Sequence, residues 1–303
     1  MLRENRKYRL IGIFSALASG VLFGVSPMFV SIVSQRGVSS YTVCFLRFLI
    51  SMLLFLACIM IRRIDIRLSV RHLSRLFLAS LCNSLTTIAL YSCYRYIGIS
   101  AGTTIHFSYP ILVVLFMTLL LKEKPERKCL SCAITCMIGI LFFFEKRSGS
   151  AHIEGIVLAL SSAFLYSFYL IVIERTGISE IDPVIMGFYI ALFNTVIIGT
   201  YDLFISHQIS LQMSASSWIL CALVSIMTSV FATLCLQIAI RHTSSILFSL
   251  LSLSEPISSV LCGFLILHEP FSIRKAIGCM IIIASLLYLI GSDHQEKKTM
   301  EDS

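Results

Sequence analysis

Three ionisable side chains occur in stretches that are otherwise almost free of charge, and each could do chemistry there. Glu255 precedes Pro256 in an apolar segment, about 12 residues from its start, which is roughly 18 Å along a helix axis. A carboxyl group at that depth could exchange a proton or face a cationic group. The proline also frees a backbone carbonyl nearby because it lacks an N–H. The alternative is a structural carboxylate paired with an arginine or a hydroxyl.

His106 and Arg47 are the other two ionisable groups. His106 lies one helical turn before Pro110, and histidine titrates near neutral pH, so His106 and Glu255 are both candidates for proton coupling. The alternative for His106 is a neutral ring bonded to a neighbouring hydroxyl. Arg47 could attract an anionic carboxylate. We prefer a structural interpretation for it, in which the side chain extends towards the membrane surface or binds backbone carbonyls.

Polar and aromatic residues recur at helical spacing in several apolar segments. Asn83, Thr87 and Tyr91, for example, are four residues apart and share one helix face. One such face could simply hold helices together, but several together favour a wet or ligand-lined cavity. Tyrosine-rich lining suits an amphipathic organic solute better than a bare ion. The predicted solute-binding residues are Ser19, Phe23, Asn83, Thr87, Tyr91, His106, Tyr109, Ser162, Tyr166, Tyr169, Gln237, Ser249, Ser252 and Glu255.

The composition indicates that these residues are positioned by membrane-spanning helices. Hydrophobic residues make up 57% of the chain and charged residues only 13%, against roughly 25% charged in a soluble protein. Several uncharged runs, such as 10–34 and 96–121, are long enough to cross a bilayer as helices. We predict an all-α integral membrane protein with ten transmembrane helices. They are expected at 11–33, 41–61, 74–94, 98–121, 129–144, 155–174, 184–205, 217–240, 243–267 and 274–291.

Lysine and arginine set the predicted orientation. Most of them fall in alternate loops counted from the N-terminus, which places both termini in the cytoplasm; the bias comes mainly from the first half of the chain. The net charge of +8 follows from loops that face anionic lipid, so it is not evidence for nucleic-acid binding.

The chain is also an internal duplication. Arg95 aligns with Arg241 and Pro110 with Pro256 at an offset of 146 residues. Earlier positions align at an offset of 143 residues, as in Gly12/Gly155, Ser19/Ser162 and Phe45/Phe188. We divide the chain into a first repeat at 1–147 and a second at 148–303. Each repeat holds five predicted helices, an odd number, so the second must enter the membrane inverted relative to the first, with the solute site between them.

Two stretches carry a resemblance to a known family. Residues 96–102, Tyr109-Pro110 and Glu123 form one, and residues 242–245, Glu255-Pro256 and Glu269 form the other. They resemble the paired repeat of the drug/metabolite transporter superfamily, EamA-type ten-helix branch, and Arg47 looks like that family's arginine in the second helix. The second repeat departs from the first with Ile190 at the position equivalent to Arg47, and His106 is polar where an apolar residue would be ordinary.

The resemblance implies a secondary transporter of small metabolites, with a central cavity lined by the first, third, fourth, sixth, eighth and ninth helices. Known members include amino-acid exporters, and importers or exchangers in some intracellular bacteria. The leading hypothesis is therefore a transporter in a bacterial inner membrane that moves an amino-acid-like or nucleotide-derived metabolite by alternating access. Multidrug efflux is the alternative. The substrate, the direction of transport and the coupling ion stay open.

Other classes find little support in the sequence. There is no Walker A phosphate loop, no His-Glu-x-x-His zinc motif and no Gly-x-Ser-x-Gly elbow, so we predict neither an ATP-driven pump nor an enzyme, and assign no catalytic residue. Cys129, Cys132 and Cys136 share a helix face but lack a fourth ligand, so we predict no metal and no cofactor. The expected partners are a small-molecule solute and membrane lipid, and not nucleic acid. We expect a monomer, because one chain already contains both repeats.

Overall fold

The computed structural model describes residues 2–119, 122, 125–143, 152–267 and 272–301, and over these ranges its regular structure is helical. The α-helices are α1 Leu2–Gln35, α2 Ser40–Arg62, α3 Val70–His106, α4 Tyr109–Leu119, α5 Arg127–Leu141, α6 Ile153–Arg175, α7 Pro183–Tyr201, α8 Ala215–Val224, α9 Thr233–His242, α10 Ser245–Leu251, α11 Ser254–Leu267 and α12 Ile273–Glu301. A π-helical stretch, Ser225–Ala232, joins α8 to α9. The predicted all-helical class is confirmed for these residues.

Eight segments of the described chain are long and apolar enough to cross a membrane, which supports a multi-pass membrane protein. They are Lys7–Gln35, Ser40–Arg62, Val70–His106, Ile153–Arg175, Pro183–Ser206, Ala215–His242, Ser245–Ile266 and Ile273–Gly291. Ten separate crossings stay a prediction. Helix α3 continues from the predicted third helix into the fourth through a non-helical Gly98, while α4 and α5 are shorter than a full crossing. Glu123 and Glu269, which carry part of the family resemblance, lie outside the described residues.

Two of the predicted helices, 98–121 and 243–267, are broken rather than continuous. The first break separates His106 from Tyr109, and the second separates Leu251 from Ser254. Each break lies just before a proline, Pro110 or Pro256, whose ring nitrogen cannot donate to the carbonyl four residues earlier. Because the prolines are repeated at an offset of 146 residues, the breaks are repeated at the same offset. The periodicity of apolar residues continues across both breaks and therefore did not reveal them.

Small polar residues fix several helix starts. Ser39, Ser69 and Ser214 each accept a hydrogen bond from a backbone N–H in the first turn of α2, α3 and α8. Asp182 does the same for α7, which has Pro183 in its first turn. Such caps satisfy backbone groups that the helix itself leaves unpaired. The chain therefore changes direction sharply between helices and returns them to one bundle.

The two halves of the chain pack against each other in corresponding ways. Helix α1 packs against α9 and α11, while α6 packs against α3 and α4; α2 also packs on α7, and α5 on α12. Gly12 lets α1 approach Thr243, where a Cβ atom would stand 2.6 Å from the threonine methyl group. Gly155 does the same for α6 against Tyr96, again at 2.6 Å. The largest core cluster includes residues of both halves, and the predicted solute-binding residues border it.

Candidate functional site

The two helix breaks bring residues of both halves into one polar cluster. Tyr109 begins α4, and its hydroxyl lies 2.5 Å from the hydroxyl of Ser252, which follows α10. His106 ends α3, and its Nδ1 lies 3.0 Å from the Ser162 hydroxyl on α6. Neither contact joins sequence neighbours, so both depend on the breaks and on the packing of α6 against α3 and α4. His106, Tyr109, Ser162 and Ser252 therefore lie together, at the junction of the halves.

Aromatic rings cover this cluster. The Tyr109 and Tyr166 rings meet edge to face with centroids 4.8 Å apart, and the His106 ring lies 5.5 Å from each of them. Tyr169 follows Tyr166 by three residues on α6, and the centroids of the two rings lie 5.7 Å apart. Such rings offer an apolar face with a polar edge, which suits a planar or cationic organic group.

Glu255 sits beside this cluster and has no polar partner. It is the second residue of α11, half-buried, and within the described part of the chain no group forms a hydrogen bond or an ion pair with its carboxylate. Tyr94, Tyr109 and Tyr166 lie within electrostatic reach of it, as does Arg47. Both the binding role and the structural role of Glu255 therefore stay predictions. A carboxylate that is partly shielded from water and has no partner is costly, which makes it a candidate binding group.

A cavity of about 290 Å³ reaches Glu255 from one end of the bundle. Its walls come from α1, the Gly98-to-Phe107 part of α3, the start of α11 and α12. Glu255 and Lys275 are the ionisable residues along it. A second cavity, of about 310 Å³, lies among α5, α9, α10 and α12 and touches none of the predicted solute-binding residues. The predicted site is thus reached by the first cavity.

Glycines on α1 allow this helix to come close to Glu255. A Cβ atom at Gly24 would collide with the backbone oxygen of Glu255, and one at Gly20 with the hydroxyl of Ser254. Neither position tolerates a larger side chain unless the helices move apart. The spacing of the two glycines, one helical turn, thereby sets the distance between α1 and the start of α11.

Arg47 points into the bundle rather than towards the membrane surface. Its Nε donates to the Ser229 hydroxyl at 3.3 Å, in the π-helical stretch, and its guanidinium lies near Tyr91. Both interpretations of Arg47, the structural one and the attraction of an anionic carboxylate, stay predictions. Tyr94 was missed by sequence reasoning: its ring lies 5.7 Å from that of Tyr91. Its position three residues after Tyr91, on the same helix face, was the available signal.

The remaining predicted residues divide into two groups. Ser19 donates to the carbonyl of Ala232 at 2.9 Å, and Ser249 and Thr87 donate to carbonyls of their own helices at 2.8 and 3.0 Å. The Ser19 hydroxyl therefore joins two elements, whereas those of Ser249 and Thr87 are satisfied within their own helices. Others offer side chains with no such bond in the described structure: Phe23 packs on the main core, Asn83 is half-buried, and Gln237 is 2% exposed with neither amide atom hydrogen-bonded.

No metal-binding constellation occurs among the residues that the structure describes, since no three His, Cys, Asp or Glu side chains converge. The Cys132 and Cys136 sulfurs lie 3.9 Å apart between α5 and α12. Cys132 also contacts the carbonyl of Ser285. They pack as buried thiols.

Comparison with known proteins finds one family. The sequence pattern described as the EamA-like transporter family matches residues 10–144 and again residues 153–291. Solute carrier family 35 member G1 of Mus musculus is 25% identical over 264 residues, covering 79% of this chain and 70% of the relative. The Homo sapiens protein of the same name is 22% identical over 204 residues, covering 63% of this chain and 54% of the relative.

A solved crystal structure has the same fold. It superposes with a TM-score of 0.76 over 93% of this chain and 96% of its own, at 18% sequence identity. At that identity the likeness concerns the arrangement of helices and not the solute.

Proposed function

The chain belongs to the EamA-like transporter family, and on that premise we propose that it is a secondary transporter of a small, amphipathic organic metabolite that works by alternating access. The observation that carries this proposal is the unpartnered Glu255 carboxylate beside the junction of the two family repeats, at the end of a cavity. A half-buried carboxylate without a partner in the described structure is a candidate to bind a group of the solute.

Ten transmembrane helices in two inverted repeats, 1–147 and 148–303, are part of the proposal. Gly12 approaches Thr243, and its repeat equivalent Gly155 approaches Ile97, the equivalent of Thr243. These matched contacts join the start of α1 and the start of α6 to opposite ends of the bundle, which supports an inverted arrangement. Repeats of this kind allow one half to rock against the other around a shared site.

The proposed solute carries a cationic group and an anionic group on an organic body. The cationic group would face Glu255 and the rings of Tyr94, Tyr109 and Tyr166, because an ammonium or a similar cation is attracted both to a carboxylate and to aromatic faces. The anionic group would face Arg47, whose planar guanidinium suits a carboxylate. Amino-acid-like and nucleotide-derived metabolites have this character. The further lining comes from the half-buried or buried side chains that were predicted from the sequence.

We propose Glu255 and His106 as the residues through which a proton could be coupled to transport. Both are at depth, and both lie next to the aromatic cluster. A proton on Glu255 would cancel the charge that holds the cationic group, so proton binding and solute binding would compete. The membrane is proposed to be a bacterial inner membrane with both termini in the cytoplasm, supported by the distribution of lysine and arginine. The transporter is proposed to act as a monomer.

The test is uptake into proteoliposomes with and without an inward pH gradient. Labelled amino acids, nucleosides and nucleotide-derived cofactors are screened, and wild type is compared with Glu255→Gln. Glu154→Gln, on the exposed start of α6, is the matched control. We expect a saturable solute whose transport is lost in the first variant and kept in the second. If none of the solutes is transported, either in uptake or in inside-out vesicles, the proposal is contradicted. If a solute is transported at rates that do not depend on the pH gradient in either protein, proton coupling is excluded.

Multidrug efflux is the second candidate, favoured by the contact between the Tyr109, Tyr166 and His106 rings. Such a surface also fits a lipophilic cation. Cells that express the protein are then expected to survive such cations better than cells that express Glu255→Gln. Equal survival counts against efflux.

A further inference from the structure

One end of the bundle is held together by a carboxylate at the end of α6. Glu174, in the last turn of α6, accepts a hydrogen bond from the backbone N–H of Ser245 at 2.8 Å. Its other oxygen lies 3.6 Å from the guanidinium of Arg175. Because Ser245 is the first residue of α10, this bond ties the end of α6 to the start of the broken helix that leads to Glu255. We call this junction the Glu174 end.

Other contacts hold the same end together. Arg241, at the end of α9, lies 3.7 Å from the Glu180 carboxylate, and the Tyr8 ring of α1 stacks on His242 at 5.3 Å. Arg75, near the start of α3, donates to the carbonyl of Thr176 at 2.5 Å. Helices α1, α3, α6, α9 and α10 therefore converge here. The cavity near this end stops short of the solute site.

The repeat places an equivalent junction at the opposite end. At the offsets of 143 and 146 residues, the position equivalent to Glu174 is Ser31 on α1, and the position equivalent to Ser245 is Ile99 on α3. Both residues line the cavity of about 290 Å³ that reaches Glu255. In the described structure Ser31 forms no hydrogen bond with Ile99. We call this junction the Ser31 end, and among the residues that the structure describes it is the end at which the cavity reaches Glu255.

We propose that Glu174 is a positioning residue for alternating access: its bond to Ser245 closes the Glu174 end while the Ser31 end is open, and breaks when the Ser31 end closes. The inference rests on the proposed transport function. Beyond that function, it names the bond that sets the preference between the two open states. Glu174 contacts neither the cavity nor the aromatic cluster, so it acts on the solute only through this preference.

The chemistry of the two positions explains why the closed end is this one. Glutamate is long and charged, and hydrogen bonds to a charged group are stronger than neutral ones. Serine is short and neutral and has no comparable bond to offer at the Ser31 end. A charge-assisted hydrogen bond that forms in only one of the two open states favours that state. Its loss changes the ratio of their populations by roughly tenfold or more. The structure with the Ser31 end open is therefore the favoured state in the absence of solute.

Hydrogen exchange measured by mass spectrometry, on the full chain in lipid nanodiscs without solute, tests this. The protein is compared with Glu174→Ser, which copies the other repeat, with Ser31→Glu, and with the double exchange. We expect Glu174→Ser to lower the protection of amides 245–251 by roughly tenfold and to raise that of amides 99–106. The double exchange should invert the wild-type pattern. Glu180→Gln, in the exposed ion pair at the same end, should leave both segments unchanged.

Two results would overturn the proposal. Unchanged protection at 245–251 in Glu174→Ser means that the bond closes nothing. Lower protection there without any gain at 99–106 means that Glu174 only caps α10. If Ser31→Glu does not fold, the single Glu174→Ser variant still decides between these outcomes. The exchange pattern does not depend on transport. If protection falls at one end and rises at the other in a protein that transports none of the screened solutes, the result counts against the proposed function and not against the role of Glu174.

Discussion

Gln237 offers a test in which stability and transport should move in opposite directions. Its side chain is 2% exposed, and neither its amide nitrogen nor its amide oxygen has a hydrogen-bond partner in the described structure. Its repeat equivalent is Tyr91, beside Arg47. Each buried polar atom without a partner costs about 1–3 kcal/mol. The amide is therefore kept at the expense of stability, which calls for a functional explanation.

Gln237→Leu removes both polar atoms and keeps a similar volume. We expect the free energy of unfolding to rise by about 1–3 kcal/mol, below the sum for two atoms because the leucine is branched and packs imperfectly. Thermal unfolding in detergent measures this as a higher midpoint. If the amide binds the solute in another step of the cycle, transport into proteoliposomes should fall about tenfold, since one lost hydrogen bond is worth about 1.4 kcal/mol.

Asn194→Leu is the matched control, because Asn194 is also a buried amide. Its Oδ1 accepts a hydrogen bond from the Ser84 hydroxyl at 2.5 Å, so the leucine would leave that hydroxyl without its partner. Because the Nδ2 of Asn194 has no partner in the described structure, its removal offsets the lost bond to Ser84, and we expect the free energy of unfolding of this variant to stay within about 1 kcal/mol of the wild-type value. A destabilised Gln237→Leu would mean that the amide has a structural role. Raised stability with undiminished transport would mean that it has none in solute recognition.

Four further substitutions separate binding from packing. Arg47→Gln should raise the KM for solutes that carry a carboxylate by roughly tenfold and leave other solutes unaffected, as measured by concentration-dependent uptake. Tyr109→Phe removes the bond to Ser252 and should lower the free energy of unfolding by about 1 kcal/mol in thermal denaturation, while transport persists. Gly24→Val should abolish transport and lower the unfolding midpoint, because its side chain would collide with α11. Tyr94→Leu should weaken binding of a cationic solute several-fold in competition uptake.

The sequence predicted the all-helical class because membrane helices leave a strong local signal in the form of long uncharged runs. The ten separate helices stay a prediction. What could not be predicted were contacts between distant residues. Tyr109 and Ser252 meet only because both helices break, and a break depends on how neighbouring helices satisfy the freed backbone groups, not on local periodicity. The contact between Arg47 and Ser229 could not be predicted for the same reason, because Ser229 lies far along the chain.

Equivalent positions of the two repeats differ in kind: some shape the backbone and others carry charge. Residues that shape the backbone occur in both repeats, as Gly12 does with Gly155 and Pro110 with Pro256. Three charged residues have no charged equivalent in the other repeat: Glu255 is equivalent to Tyr109, Arg47 to Ile190, and Glu174, at the end of the bundle, to Ser31. A duplicated scaffold makes the two open states nearly equal in energy, which alternating access requires. On the proposed function, the single carboxylate of Glu255 and the single guanidinium of Arg47 would orient the solute, and the bond of Glu174 would set the preferred resting state of the cycle. Substitutions at duplicated positions should therefore affect stability first, whereas substitutions at the unique charges should affect transport in a stable protein.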